Sequence, residues 1–335
     1  MKCTNNGRKR NRRRLSALCL VFALMVSGAL SGCGRQAAYG LSFESQSDKT
    51  SFRMINVSEE HTAESFAKNL CVTAGDVAGS AQIEDGSAAL LCDLNGSRVL
   101  YAKNVHERLE PASLTKVMTA LVALKYGNLD DIYTASANVE ITESGASLIG
   151  LKAGDTMTLD QALHGLLMSS GNDAAVLIAE GISGSVEEFC SLMNEEAKKL
   201  GATNCHFVNP HGLTEENHYV TAYDMYLIFK EAVPYDEFSQ IINSATYSTV
   251  YKDRDGNPKE MTCETTNLYL KGNYEPPENI KVIGGKTGTT NSARNCLVLY
   301  TKDNAGNPYI SVILKCSERG ILYEEMTQLL GEIAK

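Results

Sequence analysis

The stretch Pro111-Ala-Ser-Leu-Thr-Lys-Val-Met-Thr119, continued by Ala120 to Lys125, most restricts what this chain can become. Leu114, Val117, Met118, Leu121 and Leu124 recur at helical spacing, so the segment predicts a helix. Pro111 suits its first turn, where a missing N–H costs nothing. Ser113 and Lys116 are three residues apart and share one helix face. A serine there sits near unpaired backbone N–H groups, in the positive field of a helix N-terminus. A lysine one turn on can take its proton, which turns a weak nucleophile into a strong one. Spacing alone does not select this pair, because Ser65-Phe-Ala-Lys68 repeats it in a different setting.

The N-terminus indicates export. Lys2, Arg8, Lys9, Arg10, Arg12, Arg13 and Arg14 precede an apolar run from Leu15 to Leu30 that ends in Leu30-Ser-Gly-Cys33. A basic segment, an apolar core and small residues before a cleavage point form a signal peptide. The cysteine after Gly32 resembles a bacterial lipobox, in which that residue is lipidated and becomes the mature N-terminus. Residues 1–32 are therefore expected to be a lipoprotein-type signal, and residues 33–80 a flexible tether. The expected location is the outer face of the cell membrane, anchored through Cys33, or secreted if the lipobox reading fails. Removing seven of the 31 basic residues leaves 24 against 40 acidic ones, a formal charge of −16. Such a chain is a poor partner for nucleic acid. Seven cysteines remain beyond Cys33, odd in number and with no Cys-x-x-Cys. That pattern argues against a zinc site and a full disulfide set, and for small buried apolar residues.

Folded structure is expected from Ala81. A hairpin turns at Asn95-Gly96 and leads into the Ser113 helix. Residues 130–150 read as loop, and Thr158 or Asp160 as the cap of a helix with an apolar stripe from Leu159 to Met168. The stripe stops at Ser169-Ser-Gly-Asn-Asp173, and a second apolar helix runs from Ala174 to Glu180. Gly171 reads as a C-cap there, with Asn172 or Asp173 as the following N-cap. Further helices are expected over 186–200 and 221–232, with a loop at Asn209-Pro-His-Gly-Leu213 between them. After Ile241 the chain reads as a long hairpin, a glycine-bearing strand Ile280 to Thr289, two more strands, and a final helix from Tyr323 to Ala334. The expected fold is α/β (α+β): terminal segments joined in one antiparallel sheet flanked by helices, with a mostly helical subdomain inserted over about 130–232.

Three pieces stand in order: Ser113-x-x-Lys116, Ser170-x-Asn172 and Lys286-Thr287-Gly288. Each is weak alone, and Ser136-Ala-Asn138 offers a second Ser-x-Asn. Together they form the motif triplet of β-lactamases and penicillin-binding proteins. With Pro111–Thr119, Ser170–Ala174, His211-Gly-Leu213 and Gly285–Thr289, the chain resembles a low-molecular-weight penicillin-binding protein of the serine-type D-alanyl-D-alanine carboxypeptidase family. The resemblance covers about Ala81 to Ala334. Gly171 and the lack of a Glu-x-x-Leu-Asn run set it apart from class A β-lactamases.

The resemblance implies a β-lactamase/DD-peptidase-like fold and removal of the terminal D-Ala from peptidoglycan stem peptides, with no metal or organic cofactor. Ser113 would be the nucleophile, Lys116 the base and Ser170 the proton relay. Asn172, Lys286, Thr287, Gly288 and Thr289 would bind substrate. The N–H groups of Ser113 and Thr289 would form the oxyanion hole. β-Lactams would acylate Ser113. A DD-endopeptidase, a β-lactamase or a catalytically silent wall-binding lipoprotein remain as alternatives. Two departures stand out. Thr265-Thr-Asn-Leu268 lacks an arginine that some members use to bind carboxylate, and Arg294 has no assigned place in the site. The chain also ends directly after the closing helix, so no C-terminal all-β domain is expected.

Overall fold

The computed structural model describes residues 69–333. The signal sequence, Cys33, most of the expected tether and the Ser65/Lys68 pair lie outside them. Strands β1 (Ala88–Asp93) and β2 (Arg98–Lys103) form the hairpin at Asn95-Gly96. Strands β7 (Ile280–Thr290), β8 (Arg294–Asp303) and β9 (Pro308–Cys316) form an antiparallel meander. They join in one five-stranded sheet, ordered β2-β1-β9-β8-β7. The N-terminal hairpin and the C-terminal meander of the described residues thus meet at β1 and β9, as expected. Every residue of β1 is buried, because both faces of the sheet are covered. Ala89 and Leu91 face helix α7 (Arg319–Leu330), with Leu322, Met326 and Leu329. Ala88, Leu90 and Cys92 face the helical body.

At the centre of that body is α1 (Thr115–Tyr126), buried on all sides from Thr115 to Ala123. A helix apolar all round belongs in a core, and Lys116 is carried in with it. Around it lie α2 (Leu159–Leu167), α3 (Asn172–Ser183), α4 (Val186–Lys199) and α5 (Ala222–Ala232). Thr158 closes a capping box with Gln161 at the start of α2, and the Thr221 side chain caps α5.

Four expectations change. The 130–150 segment contains a short strand, β3 (Ile132–Thr134), paired with β4 (Thr156–Thr158). The hairpin β5 (Thr246–Lys252) and β6 (Pro258–Glu264) joins these in a separate sheet, ordered β3-β4-β5-β6. A helix absent from the sequence reading, α6 (Asp236–Asn243), buries Phe238, Ile241 and Ile242. Its three apolar positions were too few to show a period. The closing helix begins at Arg319, four residues before the expected start.

The tether boundary at residue 80 also moves. Cys71 is fully buried, and its N–H donates to Tyr226 Oη at 2.9 Å. Val77 pairs with Ala102 at the edge of β2. The N–H groups of Ser80 and Ala81 donate to Glu332 Oε1 at 2.9 and 2.6 Å. Those of Glu84, Asp85 and Gly86 donate to the buried Glu325 carboxylate at 2.7, 2.7 and 2.9 Å. The segment has few large apolar residues and is held through its backbone by carboxylates some 240 positions away, which composition cannot reveal. Glu325→Ala strips three donors of a charged acceptor and is expected to cost about 3 kcal/mol. Urea unfolding midpoints would check this, and an unchanged midpoint would refute it.

Candidate active site

Ser113 lies in a single 3₁₀ turn, Ala112–Leu114, that feeds into α1. The helix proper begins two residues later than the nucleophile candidate, so Ser113 stands on a turn above the helix end. Ala112 is left-handed, with φ +47°. Lys116 Nζ sits 3.0 Å from Ser113 Oγ, 2.6 Å from Asn172 Oδ1 and 2.6 Å from the main-chain oxygen of His211. Two of these partners are acceptors only. A neutral amine gives both its protons to them and turns its lone pair to the Ser113 hydroxyl. Burial first, then the charge of Lys286, holds the Lys116 amine well below the ordinary lysine value. Both effects favour the neutral amine, the form that can accept a proton from a serine hydroxyl.

The bend between α2 and α3 supplies Ser170 and Asn172. Its backbone differs from the expected cap. Ser170, not Gly171, is left-handed, with φ +59°, and Gly171 is the N-cap residue of α3. Neither Asn172 nor Asp173 is the N-cap residue as expected, because both lie inside the first turn; the Asn172 side chain is used elsewhere, and Asp173 Oδ1 accepts from the Ala174 N–H at 3.0 Å beside its bonds to a neighbouring loop. Asn172 reaches Lys116, and its N–H donates to Ser147 O at 2.8 Å. Asp173 is buried and accepts from the N–H groups of Ile149, Gly150 and Leu151 at 3.0, 2.8 and 3.0 Å. The bend is thereby tied to the loop that passes over it, and Ser170 is rigidly presented.

β7 forms an edge of the main sheet and brings the third piece. Its first half lies against α6, where Ile242 O approaches Gly284. Its second half runs beside the Ser113 turn. A Cβ on Gly288 would stand 2.9 Å from Pro111 O and 3.0 Å from Ser113 N, so only glycine allows the strand this close. Lys286 Nζ donates to Ser170 Oγ at 3.0 Å and to Thr287 O at 2.9 Å. Burial pulls its pKa down to about 7. When charged, it retains one N–H beyond those two bonds, available for an anion. Thr287 Oγ1 lies 2.6 Å from Thr266 Oγ1, so a threonine hydroxyl stands in the segment where an arginine was sought. Arg294 opens β8 as an exposed residue with φ +56°. Thr289 is exposed, and its hydroxyl donates to Asn295 Oδ1 at 3.1 Å.

The structure thus forms two hydrogen-bonded sets, Ser113–Lys116–Asn172 and Ser170–Lys286, joined through the bend that carries both Ser170 and Asn172, with Thr287, Gly288 and Thr289 on the strand alongside. The rival Ser-x-Asn is elsewhere: Ser136 caps a surface turn and Asn138 bonds Glu180. The sequence places His211 only in a loop and in a family-like run, and does not reveal its carbonyl contact with Lys116. A main-chain acceptor leaves no residue signature.

His218 was also missed. It is 3% exposed, and burial, then His206 and Lys116, pull its pKa from 6.5 to about 4. As pH falls below 6.5 the unfolded chain takes up a proton that the folded chain refuses until about pH 4. Stability from this ring is therefore full near pH 7 and declines toward pH 4, by roughly 3 kcal/mol. Urea midpoints at pH 7, 5.5 and 4 are expected to fall less steeply in His218→Gln than in the wild type. Equal slopes would remove the claim.

Comparison with known proteins gives a consistent result. A family model described as D-alanyl-D-alanine carboxypeptidase matches residues 75–318. D-alanyl-D-alanine carboxypeptidase DacF of Bacillus subtilis is 39% identical over 223 residues, which is 65% of this chain and 54% of that protein. DacC of Escherichia coli is 34% identical over 255 residues, 73% of this chain and 60% of that protein. The aligned segment therefore spans little more than half the length of these two relatives. DacB2 of Mycobacterium tuberculosis is 35% identical over 225 residues and 72% of its length. The crystal structure of the Streptomyces K15 DD-transpeptidase superposes with a TM-score of 0.71 at 26% identity, covering 77% of this chain and all of that one. With a family model spanning most of the described residues, the chain belongs to the D-alanyl-D-alanine carboxypeptidase family.

Proposed function

We propose that the protein is a serine D-alanyl-D-alanine carboxypeptidase that trims peptidoglycan stem peptides through an acyl-enzyme on Ser113. The observation that supports it most is the environment of Lys116: a buried amine, close enough to a second buried lysine to feel its charge, with its nitrogen 3.0 Å from the Ser113 hydroxyl. In this reading the substrate terminus lies along the open half of β7, and its carboxylate meets Lys286 and the hydroxyl of Thr287, with the Thr289 hydroxyl turning from Asn295 Oδ1 to join them. Ser113 Oγ attacks the carbonyl between the two D-alanines while Lys116 takes its proton. The N–H groups of Ser113 and Thr289 hold the developing oxyanion, a contribution of about 3 kcal/mol for each donor. The proton passes through Ser170 to the departing amine, so free D-Ala leaves and the ester on Ser113 remains. Water then attacks the ester, Lys116 again takes the proton, and Ser113 is regenerated. Asn172 holds Lys116 and the substrate amide. Gly288 would act on substrate binding by letting the strand lie close to the Ser113 turn, which sets the width of the substrate groove.

The protein acts outside the cytoplasm in this reading, held to the membrane by lipid on Cys33 and joined to the catalytic domain by the residues that follow. Among the described residues no helix is long and apolar enough to cross a membrane. Likeness to a DD-transpeptidase makes transfer of the acyl group to an amine the second outcome to measure beside hydrolysis.

The test uses a fluorescent penicillin and diacetyl-Lys-D-Ala-D-Ala with the wild type and Ser113→Ala. The wild type is expected to be labelled covalently and to release D-Ala, and the variant to do neither. A wild type that does neither would sink the catalytic reading. Labelling that persists in Ser113→Ala would move the nucleophile elsewhere.

A further inference from the structure

Behind Ser113 lies a buried set of groups that the reaction scheme does not use. Ala112 holds a left-handed backbone, which costs a residue with a Cβ about 1–2 kcal/mol and needs outside support. Its carbonyl oxygen accepts from Thr115 Oγ1 at 2.9 Å. Thr115 Oγ1 is in turn 2.8 Å from His218 Nε2. The other ring nitrogen, Nδ1, accepts from the N–H of Val208 at 3.2 Å. That bond places the proton of the neutral ring on Nε2, so Nε2–H donates to Thr115, and the Thr115 proton is directed to Ala112 O. The direction of every bond in the chain is fixed by the one before it.

Gly212 presses on the same carbonyl from the other side. It is left-handed, with φ +87°, and a Cβ there would stand 1.9 Å from Ala112 O and 2.8 Å from Thr115 Oγ1. Its own N–H donates to Asn209 Oδ1 at 2.7 Å. The neighbouring residue, His211, offers the carbonyl that orients Lys116. Thr119 Oγ1 donates to Pro210 O at 2.6 Å and locks this loop to α1. One loop thus controls both the peptide before the nucleophile and the amine of the base.

We propose that Gly212, Thr115 and His218 are positioning residues for the nucleophile: together they clamp the Ala112 peptide and so aim Ser113 Oγ at Lys116 and Ser113 N–H toward β7. The clamp acts on the orientation of the reacting groups and not on the substrate, so its loss slows acylation and leaves noncovalent affinity unchanged. A misplacement near 1 Å at a reacting atom can cost about 10²-fold in rate.

The experiment measures acylation by a fluorescent penicillin under stopped flow, separating the noncovalent dissociation constant from the acylation rate constant. Rates are normalised to titrated active sites, so a smaller folded fraction does not count as slower chemistry. Thr115→Val keeps the side-chain shape and removes the hydroxyl. It is expected to lower the acylation rate constant about 10–100-fold, with the dissociation constant unchanged. Thr115→Ser restores the hydroxyl and is expected to stay within about threefold of the wild type, a rescue that a purely packing role for the threonine would not produce. Gly212→Ala provides an independent arm, with a loss at least as large as that of Thr115→Val. A Thr115→Val rate near wild type, a Thr115→Ser rate as low as that of Thr115→Val, or a loss confined to the dissociation constant would overturn the proposal. The inference rests on Ser113 as nucleophile. An unlabelled wild type overturns that assignment and this inference with it, whereas a labelled wild type with an unaffected Thr115→Val overturns the inference alone.

Discussion

Lys116→Met is expected to lower the rate of Ser113 acylation by about 10³-fold, within the range that general-base catalysis supplies. Methionine matches the lysine stem in length, so the central helix keeps its packing. What is lost is the lone pair 3.0 Å from Ser113 Oγ. Lys116 has no solvent exposure and lies near Lys286, and both conditions disfavour its charged form. The same burial favours the neutral amine that can act as a base and makes the substitution tolerable, because methionine needs no hydrogen-bond partner. Asn172 Oδ1 and His211 O lose a donor, so a moderate loss of stability accompanies the change. The check is stopped-flow acylation with a fluorescent penicillin beside a thermal melt. A folded Lys116→Met that acylates within tenfold of the wild type would remove Lys116 from the role of base.

Lys286 is expected to set the upper limb of the pH profile. With its pKa near 7, it is charged below that value and loses its charge as pH rises through it. In the proposed reaction the charged form meets the substrate carboxylate, so kcat/KM for a D-Ala-D-Ala peptide should decline above about pH 7, since this ratio reports the free enzyme. Lys286→Met is expected to lower kcat/KM by about 10²-fold, in line with the loss of a charged hydrogen bond to a buried partner, and to abolish that limb. The rising limb should also move to higher pH in the variant, because the charge of Lys286 contributes to holding Lys116 neutral. Steady-state rates from pH 5 to 9 would check both points. A wild-type profile that stays flat above pH 7, or a falling limb that survives in Lys286→Met, would contradict the assignment.

Both predictions concern residues already prominent in the sequence. Ser113-x-x-Lys116 follows the helical period, the bend at Ser170 interrupts two apolar stripes, and Lys286 sits on a glycine-bearing strand. Local spacing encodes such features directly, because three residues along a helix share a face and a polar break between apolar runs must be a bend. The pairing of the N-terminal hairpin with the C-terminal meander was legible for a related reason: both ends read as strands and the middle as helices.

What the sequence obscured depends on contacts between distant positions. The 71–80 segment resembles a tether in composition, yet its backbone donors find Tyr226 and Glu332. Gly171 looked like the left-handed residue of its bend, but Ser170 adopts that conformation. The second sheet, the helix Asp236–Asn243 and the contact between His211 O and Lys116 left no pattern to read.

By itself, then, the sequence determined which side chains could do acyl-transfer chemistry, their order, and the local elements that carry them. Only the tertiary structure decided that Lys116 is buried beside Lys286, that its protons are taken by Asn172 and His211, and that a threonine hydroxyl stands where an arginine was sought. The reason is physical. Periodicity reports how a residue relates to its own helix or strand, whereas burial, a shifted pKa and a backbone carbonyl at hydrogen-bond distance depend on chain segments that meet only in the folded molecule.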